Sequence, residues 1–325
     1  MTATISPTVS GATTEKATGW NDALMFPGLV PSRFTRVQAF LDTSPQARNR
    51  MTQASDVLGY DLAGRYATAG VSDMEVFQMA FLAIGVALTD WGREEHGLDP
   101  DIVLGQSFGG FLAAVHVASF SYEDMVDLLR RSIMVENDYF QSLPTPLECT
   151  FFFSIEADRL AELCAAACED AGDWASVCVS GEGRVCAASG TTHALGRLRI
   201  LVRSNGGRVL HTIARAEHCP GVGPLVQRLR TEVYAGYTVR PPDRILLSDT
   251  TGERLVTAEQ VQTELLAGWT TPLTGHVCFD ALTAHGVGRL VVPGPKGSFG
   301  RMERQGFIVV QLTPNQVDGR MEQLQ

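Results

Sequence analysis

The chain predicts an α/β fold in two parts: a large subdomain built on a parallel sheet, interrupted by a small lobe in ferredoxin-like order. Three observations carry this. Ile102-Val103-Leu104 reads as a short buried strand that passes through a glycine-flanked turn into an apolar helix over 111–120. From 150 to 213 the pattern runs strand, helix, hairpin, helix, strand, a β-α-β-β-α-β order. Strand-like runs over 244–248 and 289–292 then resume the α/β character. The lobe, 139–213, is therefore an insertion between the two pieces of the large subdomain, 21–138 and 214–325.

Taken in order, residues 1–20 are rich in Thr, Ser, Ala and Gly, with neither a basic start nor an apolar core, and read as a disordered tail rather than a signal peptide. Helices over 72–93 and 122–139 flank the elbow strand. The longest apolar stretch, 76–88, is broken by Gln78 and closes at Thr89-Asp90, which predicts a buried helix too short to span a bilayer. In the lobe, the expected elements are a strand over 150–154, a helix over 157–171, hairpin strands 175–179 and 184–188 around Gly181-Glu182-Gly183, a helix over 192–205 and a strand over 208–213. A helix over 225–234 follows.

With 325 residues and 45% hydrophobic content, the chain can bury one large core, or one core plus an inserted lobe, without disulfides. Its 26 Lys+Arg against 36 Asp+Glu leave a net charge of −10, which argues against a nucleic-acid surface. The 7 cysteines include no Cys-x-x-Cys pair and read as free thiols of a reducing cytoplasm, not as a metal site.

Gly105-Gln106-Ser107-Phe108-Gly109 is a nucleophile elbow, and it makes the large subdomain α/β-hydrolase-like. Glycines two residues either side of Ser107 allow the sharp turn that lifts its hydroxyl to the start of the following helix. There the Phe108 amide and the helix dipole can stabilise an oxyanion. A serine nucleophile needs a base. Among the 7 histidines, His218 stands out because its loop, Arg215 to Pro224, lies between the inserted lobe and the next helix. A plain esterase would instead draw its base from His276 or His285.

These segments resemble the malonyl-CoA:acyl carrier protein transacylase family and the related acyltransferases of polyketide synthases, over about 24–312. Phe26-Pro27-Gly28-Leu29-Val30 is similar to the family's Phe-Pro-Gly-Gln-Gly, and Gly105 to Gly110 to its Gly-His-Ser-x-Gly-Glu. His218-Cys219 with Pro224 resembles the histidine loop, and Pro293-Gly294-Pro295-Lys296 a turn near the end. The resemblance implies that Ser107 attacks an acyl thioester while His218 takes its proton, with the amides of Leu29 and Phe108 as the oxyanion hole and the Gly268 carbonyl orienting the histidine. It implies no bound cofactor. Coenzyme A or the phosphopantetheine of an acyl carrier protein would arrive as part of the substrate. Carrier docking would fall to Lys296, Arg301 and Arg304, with Arg184 and Arg215 near the lobe.

Departures from the family pattern bear on the acyl group. Malonyl-specific members carry an arginine 25 residues after the nucleophile; here that count lands on Ser132, although a one-residue deletion would bring Arg131 into register. Gln106 and Gly110 replace the family's His and Glu. The segment Arg215-Ala216-Glu217-His218 matches neither common specificity motif; Glu217 is expected to face solvent, or else to meet an amine on the acyl group. The resemblance thus implies a discrete, cytoplasmic acyltransferase of antibiotic-type polyketide biosynthesis that moves a non-malonyl group, such as an aminoacyl or dipeptidyl group, onto a carrier protein. The alternatives are a proofreading hydrolase of acylated carriers, a malonyl-type transacylase, or a scaffold without activity.

Overall fold

The protein is described by a computed structural model covering residues 21–30, 32–70, 73–181, 185–296 and 306–317. The expected tail 1–20 and the docking candidates Arg184, Arg301 and Arg304 lie outside these residues.

The larger sheet has the order β11 (Ile308–Leu312), β10 (Val287–Pro293), β1 (Asn21–Phe26), β2 (Ile102–Gly105), β7 (Ile245–Leu247), β8 (Arg254–Leu255). Every pairing is parallel except β7 with the two-residue β8. Parallel sheets bury both faces, and the side chains divide accordingly. Leu24, Phe26, Val103 and Val291 enter a core beneath the helices Met74–His96 and Tyr122–Ser142. Ala23, Met25, Ile102, Leu104, Leu290 and Val292 enter the opposite core, closed by Cys278, Phe279 and Leu282 of the helix Gly275–Ala284.

The smaller sheet has the order β6 (Arg208–Ile213), β3 (Leu147–Phe153), β5 (Val185–Thr191), β4 (Ala175–Ser180), β9 (Leu273–Thr274). Its first four strands are antiparallel, and the helices Ala157–Ala167 and Thr192–Ser204 cover one face through Leu160, Leu163, Leu195, Leu198 and Val202. The other face turns Cys149, Cys178 and Ala187 into the core of the larger part. β9, which sequence assigns to the large subdomain, pairs in parallel with β4 instead. A two-residue strand has no periodicity to read.

Several boundaries move for local reasons. The helix predicted over 157–171 stops at Ala167, ahead of a turn whose Gly172 has φ +94. The apolar run at 76–88 belongs to a helix of 23 residues, started by the Asp73 cap and stopped by left-handed Gly97. That length and composition could cross a membrane, but 83% of its most apolar window is buried inside the fold. It is a core helix. The helix predicted over 225–234 is present but changes type, α over Gly223–Arg228, π over Leu229–Val233 and 3-10 over Tyr234–Gly236.

The elbow follows from how tightly β1, β2 and the next helix meet. The Gln106 amide donates to the Phe26 carbonyl at 2.9 Å, and the helix Gly109–His116 starts immediately after the turn. A Cβ at Gly105 would overlap the Gly109 carbonyl, and one at Gly109 the Phe26 carbonyl. Both contacts are backbone, which cannot swing aside. Gly109→Ala should therefore lower the urea midpoint by a destabilisation of about 1–3 kcal/mol. Gly196→Ala, which meets only the end of Arg199 at 3.8 Å within an ordinary helix, should raise it slightly.

Candidate active site

Ser107 sits where β2 ends and the next helix begins, with φ +53, a left-handed conformation rare outside glycine. His218 has φ +54. Non-glycine residues in this region cost about 1–2 kcal/mol each, so the surroundings must hold them. For Ser107 the holding group is Asp249, whose side-chain Oδ2 accepts its amide at 2.6 Å. For His218 the flanks are tied: the Ser189 hydroxyl donates to the Glu217 carbonyl at 2.7 Å and accepts the Glu217 amide at 3.1 Å, while the Cys219 amide donates to the Trp269 carbonyl at 3.0 Å.

The two side chains meet. Ser107 Oγ lies 2.9 Å from His218 Nε2. Burial lowers the imidazole's pKa below its usual 6.5, and Glu217 and the Gly268 carbonyl only partly oppose it. The ring is thus neutral at pH 7, as a base must be. Gly268 lies close enough to favour a protonated ring, yet Nδ1 has no partner within hydrogen-bond geometry, so that contact is long or bent. By contrast, His285 Nδ1 turns onto its own helix, 2.9 Å from the Ala281 carbonyl.

Beside this pair lies a polar cluster that sequence did not assemble. Ser132 is buried, and its Oγ has no partner. One turn along the same helix, buried Glu136 accepts from Arg215 at 2.9 Å. Arg215 Nη2 also lies 3.5 Å from Glu217, and its guanidinium covers the Trp269 ring at 5.4 Å. The buried Gln78 amide lies against this guanidinium, and the orientation that satisfies both groups points its oxygen at the two Nη atoms, 3.2 Å away. Arg131 points elsewhere, half exposed and paired with Asp127 at 2.9 Å.

Two expectations are corrected here. Glu217 does not face solvent: its side chain is only 15% exposed, because the anchored loop turns it back on Arg215. Arg215 is 17% exposed and committed to internal carboxylates, which removes it from a docking surface. Lys296 is exposed. Of the oxyanion-hole candidates, Phe108 follows the nucleophile directly, and Leu29 follows Gly28, where a Cβ would stand 3.6 Å from that of Ser107. Gln106 contributes its backbone to the elbow. Asp249 was missed, although its place at the end of the strand next to β2 was a usable signal.

All 7 cysteines are free. One group among the described residues, Asp170, Asp173 and His193, has metal-ligand spacing. Arg197 already bridges its two carboxylates, an arrangement of ion pairs rather than an open cation site.

No protein-family model matches the chain. It is 28% identical over 289 residues to the polyketide synthase GfsB of Streptomyces halstedii, an alignment that covers 84% of this chain and only 5% of that much longer polypeptide. The acyl-carrier-protein S-malonyltransferase of Burkholderia pseudomallei superposes with a TM-score of 0.80 at 19% identity, over 92% of this chain and 98% of that one. The malonyl-CoA:acyl carrier protein transacylase of Xanthomonas oryzae gives 0.81 at 20%, over 93% and 98%. A type II polyketide malonyl-transacylase solved with its acyl carrier protein gives 0.81 at 18%, over 90% and 96%. The chain has the malonyl-transacylase fold.

Within that fold the α/β class and the two-sheet architecture agree with what the sequence resemblance implied. Labelling of Ser107 by a fluorophosphonate should rise with pH along a limb whose midpoint lies below 6.5, as the imidazole loses its proton. Ser107→Ala should abolish labelling, and His218→Ala should slow it by about 100-fold or more. Arg215→Ala leaves Glu136 buried without its cation, and should cost about 3–5 kcal/mol in chemical denaturation.

Proposed function

We propose that the chain is an acyltransferase that moves an acyl group through an ester on Ser107 to the phosphopantetheine thiol of an acyl carrier protein. The observation that carries the reading is the 2.9 Å contact between Ser107 Oγ and His218 Nε2 at a left-handed elbow. Neutral His218 takes the hydroxyl proton as Oγ attacks the thioester carbonyl. The charge that develops on the carbonyl oxygen falls to the amides of Phe108 and Leu29. Collapse expels the donor thiolate, which His218 protonates. A carrier thiol then enters by the reverse path, giving up its proton to His218 and taking the acyl group. No metal or bound cofactor has a part in these steps.

The acyl group we assign lacks a free carboxylate. Ser132 supplies no charge at the position where the resembling family clamps malonate. Arg215, the cation that does reach the cluster, is already shared by Glu136 and Glu217. A malonyl carboxylate would have to displace one of them and would otherwise lie unpaired in a dry pocket. Two carboxylates to one guanidinium suit an acyl group bearing an amine, and aminoacyl and dipeptidyl thioesters fit that description. The similarity to GfsB supports a polyketide setting, and the free thiols a cytoplasmic one.

Intact-mass measurement after exposure to a panel of acyl-carrier thioesters should reveal an adduct that is absent in Ser107→Ala. The aminoacyl adduct should form about tenfold or more faster than the malonyl adduct. Chasing that adduct with a second holo-carrier should give acylated carrier. Free acid without transfer would make the protein a hydrolase, and a malonyl adduct formed fastest would assign Arg215 to the malonyl carboxylate.

A further inference from the structure

The acid pair behind the nucleophile has no part in the acyl-transfer steps above. Asp249 follows β7, the strand paired in parallel with β2, so its side chain reaches the elbow from the neighbouring strand end. It is 7% exposed. Glu264, from the helix Ala258–Ala267, packs against the Asp249 main chain and faces the same small cavity. Glu264 is itself fixed, accepting from the Ser248 hydroxyl at 2.6 Å and the Asp249 amide at 3.0 Å. Both acids, with Ser107, Gly110 and Gly268, line one cavity of 40 Å³.

We propose that Asp249 is a positioning residue for the nucleophile, holding the Ser107 amide in its left-handed turn, and that a proton shared with Glu264 keeps this anchor uncharged while the serine reacts. The inference rests on Ser107 being the nucleophile of the proposed reaction. Its physical basis is that the Ser107 amide, rotated out of the backbone ladder by φ +53, needs an acceptor outside that ladder. Asp249 Oδ2 supplies it in either protonation state. Two acids lining one small buried cavity cannot both ionise cheaply, so one carries the proton.

Burial, together with Glu264, raises Asp249 to about 8, although the Ser107 amide works the other way. The remaining titratable neighbour is Cys278 on the helix Gly275–Ala284, whose thiol is held 3.9 Å from the Asp249 carbonyl and is pushed up by burial, so it stays neutral. Among the described residues no cation pairs with Asp249. When Asp249 ionises, a full negative charge appears 2.6 Å from the Ser107 amide, where it opposes the negative charge that must grow on the attacked carbonyl, and the reaction slows.

The test is the rate of Ser107 labelling by a fluorophosphonate against pH from 5 to 10 in the full chain, a readout that needs no acyl donor or carrier. Wild type should decline on the alkaline side with a midpoint near 8. Asp249→Asn, which keeps an acceptor and cannot ionise, should lose that decline. Asp249→Ala, which leaves the amide unpartnered, should be about tenfold slower at every pH. Glu264→Gln removes the competing carboxyl and should move the decline to lower pH. A flat wild-type profile between pH 7 and 10, a decline unchanged in both Asp249→Asn and Glu264→Gln, or Asp249→Ala labelled at the wild-type rate would overturn the proposal. Should Asp249→Ala not fold, the Asn and Gln profiles decide it. Normal labelling without acyl transfer would count against the proposed function and leave this inference standing.

Discussion

Everything functional in this molecule depends on a backbone turn that most residues avoid. Ser107 is left-handed because β2 must end and a helix must begin within a few residues beside the end of β1, with no room for side chains at Gly105 or Gly109. The turn exposes the hydroxyl and, in the same rotation, takes the amide out of the sheet. Strain and reactivity therefore share one origin. The side chain of Asp249, delivered by the adjacent parallel strand, is the natural compensation.

The partner histidine is held by a different strategy. Its loop also adopts a left-handed residue, but the stabilising bonds come from two separate pieces of chain, Ser189 in the small sheet and Trp269 after a helix of the large part. The imidazole thus lies at the seam. Its neighbours Arg215 and Glu217 belong to the same loop, so the element that supplies the base also lines the adjoining polar cluster. The reactive imidazole and two members of the buried charge cluster thus come from four consecutive residues.

Much of this was legible in the amino-acid sequence. The elbow could be read because glycine spacing and flanking hydrophobic runs report a local conformation. The lobe could be read because its elements follow one another along the chain. His218 was singled out by its loop between rigid elements, and the structure places it against Ser107. What could not be read were contacts between residues distant in sequence and unmarked by pattern. Glu136 looks like any acid on an amphipathic helix until the fold brings Arg215 to it across 79 positions. Glu217 reads as a solvated charge because loop acids usually are, and only the double tie to Ser189 turns it inward. The N-terminal helix Pro45–Leu58 buries only Ala47, Met51 and Ala54, too little large apolar surface to mark it in advance.

The two-residue strand Leu273–Thr274 has a consequence for how the molecule comes apart. It caps the end of β4 at Val179 and Ser180, whose amides and carbonyls would otherwise be offered to another polypeptide. It is also covalently part of the segment that leads from Gly268 and Trp269 into the helix Gly275–Ala284, so the small sheet is clasped by chain that belongs to the large one. Peeling the inserted lobe away means tearing that clasp, along with the histidine loop beside it. Melting of the lobe and loss of the reactive pair should accordingly be one cooperative event.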